Sequence, residues 1–127
     1  MDKIIVLLSV IVSFSVFSEE CSDRNTEGEM YECISNVYKR SDRELNNIYN
    51  KKMKELDLID IHGEGADVKP ISFYLKKNQQ AWIKMRDTGC DLETYESMTG
   101  TGYGTIYKSC LIEKTNERIS FLKLLFP

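Results

Sequence analysis

Among 127 residues the chain has one histidine, two prolines and one tryptophan. With His62 as the only imidazole, there is almost nothing from which to build a histidine-based catalytic pair or a multi-histidine metal site. No two of the four cysteines, Cys21, Cys33, Cys90 and Cys110, have the close spacing with which one loop chelates zinc. The formal net charge is -3 and no basic cluster interrupts it, so the surface that nucleic acid requires is missing. Nothing alternates well enough to read as a strand. Proline and glycine are also nearly absent from Glu27 to Asp60, where Gly28 is the one exception, and that scarcity leaves room for a long uninterrupted helix.

The start, "MDKIIVLLSVIVSFSVFSEEC", places Lys3 before an apolar run from Ile4 to Phe17 and an acceptable cleavage pattern at Val16-Phe17-Ser18. The run is short for a bilayer span, so residues 1–18 read as a secretory signal peptide and 19–127 as one domain in the periplasm or outside the cell. No membrane insertion is expected after cleavage. All four cysteines fall in the exported part, and an even count in a small secreted chain reads as two disulfides in an oxidising compartment.

Apolar residues at Met30, Cys33, Ile34, Val37, Tyr38, Leu45, Ile48, Tyr49, Met53 and Leu56 recur at helical spacing, with Lys39, Arg40, Glu44, Asn47, Lys51 and Lys54 between them. Thr26 or Asn25 can cap this helix, and Glu27 and Glu29 suit the positive end of its dipole. "DIHGEGADVKP" breaks the pattern. A second helix is expected from Lys69 or Pro70 to Asp87 or Thr88, with Gly89 ending it. The glycine-containing stretch after Cys90 reads as a loop, and Thr105 to about Leu124 as a third helix. The fold class is therefore all-α: a long antiparallel helical hairpin plus a C-terminal helix, stapled by two disulfides.

Four cysteines allow three pairings. With the hairpin centred near Glu64, Cys90 lies level with about Tyr38, too far along the helix from Cys33 for a disulfide at about 1.5 Å per residue. This favours Cys21 with Cys33 and Cys90 with Cys110. The same register sets Arg86 opposite Asp42, Trp82 opposite Asn46 and Gln79 opposite Tyr49, an expected polar seam that would fix how the two helices align.

Along the chain Cys21, Met30 and Cys33 are followed by Asp42, Leu45, Asn46 and Tyr49. Next come Gln79, Trp82, Ile83, Arg86, Asp87 and Cys90, then Gly100, Gly102 and Gly104, and finally Cys110, Thr115, Arg118 and Leu122. In this order and spacing the chain resembles the exported LprI-like lysozyme-inhibitor domains over nearly all of its mature length. It departs from them in the loop, where "TGTGYGT" stands in place of a Gly-Gly-Ser-like segment. The resemblance implies the helical fold and a role as an inhibitor, with a basic lysozyme-type hydrolase as the protein partner.

No catalytic constellation emerges. His62 lies in a polar turn, and twenty acidic residues supply only chance carboxylate pairs. No cofactor and no metal are expected. For partner contact the candidate is the segment between the third and fourth cysteines, with Asp91, Glu93, Tyr95, Glu96, Met98, Tyr103 and Tyr107: acids and aromatics suited to covering the cleft of a basic enzyme. The alternative is a non-inhibitory envelope assembly or stress protein that uses the helical hairpin as its interaction surface.

Overall fold

The computed structural model describes residues 20–59, 62 and 67–126. The expected signal peptide lies outside them. Among the described residues three helices run at length, α1 (Glu27–Asp57), α2 (Ile71–Glu93) and α3 (Tyr103–Leu124), with one 3-10 turn at Tyr95–Ser97.

The start of α1 is fixed by its own side chains. Thr26 Oγ1 accepts the Glu29 amide at 3.1 Å, and the Glu29 carboxylate accepts the Asn25 amide at 3.2 Å, a near-capping box that satisfies two amide donors at the helix start. With 31 residues, α1 is about 46 Å long at 1.5 Å per residue. α2 runs antiparallel to it, and α3 returns parallel to α1. Glu27 meets Thr105 at one end of that pair, and Glu44 meets Lys123 toward the other. The longest interface in the molecule is the one between α1 and α3.

Gly89 does not end α2. The helix passes through it to Glu93, where Thr94 closes it by donating its hydroxyl to the Cys90 carbonyl at 2.6 Å. A glycine inside a helix costs only about 1 kcal/mol, and the packing on either side of Gly89 outweighs that. The expected loop is thereby reduced to Thr94–Gly102. Asp91 and Glu93 belong to α2, and Tyr103 and Tyr107 to α3.

Glycine has specific work at the start of α3. Gly102 has φ +82°, and a Cβ on Gly104 would lie 2.8 Å from Tyr31 Cε2. The first residue needs left-handed backbone, and the second allows α3 to approach the first turns of α1. These two requirements account for two of the three interleaved glycines of "TGTGYGT".

Both expected disulfides form, Cys21–Cys33 and Cys90–Cys110, with Cα separations of 5.9 and 5.8 Å. The apolar interior has two parts. Leu45, Leu56, Leu75, Ile119 and Leu122 form one, and Cys21, Ile34, Val37 and Ile112 the other. Arg86, Gln79, Thr115 and Arg118 are buried as well. Arg86 and Thr115 lie in the stretch where the helices pass from one apolar group to the other.

Candidate functional site

Two buried arginines, Arg86 and Arg118, organise the polar groups between the helices. Arg86 donates from Nε to Asp87 Oδ1 at 2.9 Å and from a terminal nitrogen to Thr115 Oγ1 at 3.3 Å. Its positive charge also acts on the nearby Tyr38 phenol. Arg118 donates to Gln79 Oε1 at 2.8 Å and to Asn78 Oδ1 at 2.6 Å. Trp82 lies between the two guanidinium groups, at 5.3 Å from Arg86 and 5.4 Å from Arg118. Tyr38 and Phe121 extend the column at its two ends. Aromatic and cation thus alternate through five side chains drawn from all three helices, each contact contributing about 0.5–2 kcal/mol.

The six seam residues have different fates. Gln79, Trp82 and Arg86 meet in this column. Asp42 is half-buried and acts on the Tyr38 hydroxyl through its charge, while Arg86 takes Asp87 and Thr115 as its partners. Asn46 is exposed, and Tyr49 packs on the larger apolar group. The pairings expected between two helices are replaced by bonds to the third, because α3 lies against α1 along the seam. Thr115 and Arg118 were therefore the missing partners. Their three-residue spacing on one face of α3 was the available signal.

Burial raises the pKa of Tyr38 and Tyr49 above the ordinary phenol value. Tyr107 is raised by burial and by the negative charge of Asp91 and Asp87. Burial lowers that of Arg118, whose hydrogen-bond partners are neutral amides.

The end of the bundle around the second disulfide is different in character. Tyr95 and Glu96 are exposed on the 3-10 turn, with Asp91 and Glu93 beside them on the last turn of α2. The first turns of α1 arrive at the same end carrying Glu27, Glu29 and Glu32. Lys114 offsets Glu93 at 3.0 Å, and Lys108 stacks over Tyr31. Tyr107 donates weakly to the Asp87 carbonyl at 3.5 Å, and Tyr103 leans on Tyr107 with ring centroids 5.9 Å apart. These two tyrosines are half-buried, whereas Tyr95 is 71% exposed. The acidic, aromatic surface is therefore held at its base by a disulfide and two helix ends.

Among the described residues the one cluster with metal-ligand geometry is Cys90, Glu93 and Cys110. Its two sulfurs are bonded to each other, so it offers a single carboxylate in place of thiolates. His62 is exposed. The carboxylates and tyrosines at this end of the bundle are exposed or half-buried. Their arrangement suits binding through a charged, aromatic surface.

Residues 18–122 match the protein family described as "Lysozyme inhibitor LprI". The chain is 32% identical over 111 residues to the uncharacterized protein R02472 of Rhizobium meliloti, covering 82% of this chain and 76% of that one. It is 24% identical to the uncharacterized protein YecT of Escherichia coli, with 98% and 91% covered. Its fold is similar to the crystal structure of a DUF1311 family protein from Pseudomonas putida. That similarity has a TM-score of 0.65 at 23% identity and covers 79% of this chain and 93% of that chain.

Proposed function

Because the chain belongs to the LprI lysozyme inhibitor family, we propose that it is an exported binding protein that inhibits a lysozyme-type peptidoglycan hydrolase without catalysing a reaction. The contact surface is the acidic end of the bundle, centred on Tyr95 and Glu96. The observation that carries this reading is an exposed tyrosine among carboxylates on a short turn fixed by the Cys90–Cys110 disulfide.

The physical case has two parts. A cluster of like charges at one end steers an oppositely charged partner and sets its orientation, raising the association rate more than the affinity. An aromatic on a pre-ordered turn then supplies contact area at small entropic cost. Such a surface covers the sugar-binding cleft of a basic hydrolase and keeps substrate out. Both disulfides suit an oxidising compartment, and no helix among the described residues is long and apolar enough to cross a membrane. The periplasm or the external medium is the site of action.

A lytic assay with the disulfide-intact protein against several lysozymes, with and without DTT, tests the proposal. Dose-dependent inhibition that is lost on reduction supports it. Absence of both inhibition and complex formation on gel filtration overturns it, and leaves the hairpin-based envelope protein as the better account.

A further inference from the structure

Among the described residues one face of α2 is largely uncovered, with Asn78, whose amide oxygen accepts from Arg118 at 2.6 Å, as its link to the rest of the bundle. Tyr74, Asn78, Ala81, Met85, Thr88 and Leu92 follow one another at alternating intervals of four and three, the spacing of a coiled-coil seam. All six are exposed, and Tyr74, Met85 and Leu92 are 52%, 73% and 79% accessible. The buried positions Leu75, Gln79, Arg86 and Cys90 face the other way, into the bundle. From Tyr74 to Leu92 the seam runs about 27 Å at 1.5 Å per residue.

We propose that this face binds the same face of a second copy of the chain, as an antiparallel two-fold dimer. Three features of α2 select that occupant. The first is charge order: no acidic residue occurs between Asp67 and Asp87, while Lys76 and Lys77 lie in the first two turns of the helix, Lys84 just past its middle, and Asp87, Asp91 and Glu93 in the last two turns. A parallel pairing sets like against like. An antiparallel pairing sets the basic part against the acidic part.

The second feature is the match of layers. Antiparallel alignment about position 83 brings Tyr74 to Leu92 of the second copy, Ala81 to its Met85 and Asn78 to its Thr88, and symmetry repeats each pair. Apolar meets apolar, and polar meets polar, in every layer. The third is the flank. Lys77, Lys84 and Asp91 recur at intervals of seven on the edge of the seam, so Lys77 of each copy faces Asp91 of the other. The single unfavourable contact is Lys84 against itself at the two-fold axis. Such a dimer directs its two acidic ends in opposite directions, making it bivalent.

Sedimentation equilibrium of the disulfide-intact protein tests this, whether or not the inhibitory reading holds. The expected result is a concentration-dependent dimer that dissociates at least about tenfold more readily, a difference of about 1.4 kcal/mol, in Met85→Glu and in Lys77→Asp. Lys77→Asp combined with Asp91→Lys restores it, and Lys84→Gln tightens it. All four positions are exposed, so circular dichroism should match the parent. If Met85→Glu loses helicity, Leu92→Asp and the charge-swap pair decide. A monomer at every concentration overturns the proposal, as does a dimer indifferent to Met85→Glu or a charge swap without rescue.

Discussion

Arg118 donates its Nε proton to the side-chain oxygen of Gln79 at 2.8 Å, in a place where both residues are almost sealed from solvent. A buried guanidinium held by amides depends strongly on each of them, because no carboxylate takes up the charge if one is lost. Gln79→Leu is therefore expected to destabilise the protein by about 1.5–3 kcal/mol, the range for a lost hydrogen bond to a charged group. Arg118→Lys should also destabilise the protein, since an ammonium cannot bond two amides and stack on Trp82 and Phe121 together. Urea denaturation of the single variants checks both, and a Gln79→Leu protein as stable as the parent refutes the role given to this pair.

A second expectation concerns Gly104, whose added Cβ would stand 2.8 Å from Tyr31 Cε2. Gly104→Ala should lower the midpoint of thermal unfolding. In a Tyr31→Ala background the same substitution should become neutral or stabilising, by up to about 1 kcal/mol, because alanine is the better helix former once the ring is gone. A double-mutant cycle with no coupling would show that the two helices do not meet as described.

Alkaline pH offers a third test. Tyr38, Tyr49 and Tyr107 all have folded-state pKa values raised above 10.0. Each therefore holds its proton more tightly when folded, so its contribution to stability is complete below pH 10 and is lost as pH climbs through the raised value. Stability should fall above about pH 10, together with a late, cooperative rise in phenolate absorbance. Phenolate signals from all seven tyrosines that appear together at the ordinary pKa, while the protein stays folded, would contradict the burial.

For the inhibitory surface, Tyr95→Ala and Glu96→Lys are expected to weaken binding to a basic lysozyme while leaving the unfolding midpoint unchanged. The charge reversal should act mainly on the association rate and should lose its effect at high salt, whereas the tyrosine truncation should raise dissociation at any salt concentration. Stopped-flow or surface-based kinetics at two ionic strengths distinguish them. Equal behaviour of the two variants would move the contact elsewhere.

Removing the Cys90–Cys110 link, which spans 20 residues, should cost about 3 kcal/mol by the chain-entropy argument. The loss belongs to the turn as well as to the bundle, so a Cys90→Ala and Cys110→Ala variant should bind more weakly even where it remains folded. Binding equal to the parent's would show that the turn needs no staple.

The helices were legible because their signals are local: apolar spacing over Met30 to Leu56, caps at Thr26, breaks at Gly63, Gly65 and Pro70. The disulfide pairing followed from the length of an α-helical residue. What sequence spacing did not supply was the third body in the seam. A two-helix register places Arg86 beside Asp42, but an arginine side chain with four rotatable bonds can turn to any partner within reach, and Thr115 on α3 and adjacent Asp87 are the ones it takes. The passage of α2 through Gly89 was obscured for the opposite reason. Glycine is a weak helix former, not a forbidden one, and the Thr94 hydroxyl that ends the helix five residues later has no distinctive pattern in the sequence.

Each disulfide joins a cysteine to the next one along the chain, Cys21 to Cys33 and Cys90 to Cys110. A polypeptide that enters an oxidising compartment from its N-terminus presents its thiols in that same order. Joining them in pairs as they emerge produces the native linkage directly, without a stage of reshuffling by an isomerase. The helix that closes the structure over α1 is nevertheless the last to appear. With that order of entry the covalent bonds would close locally, and the cooperative step would wait until the C-terminus has been released.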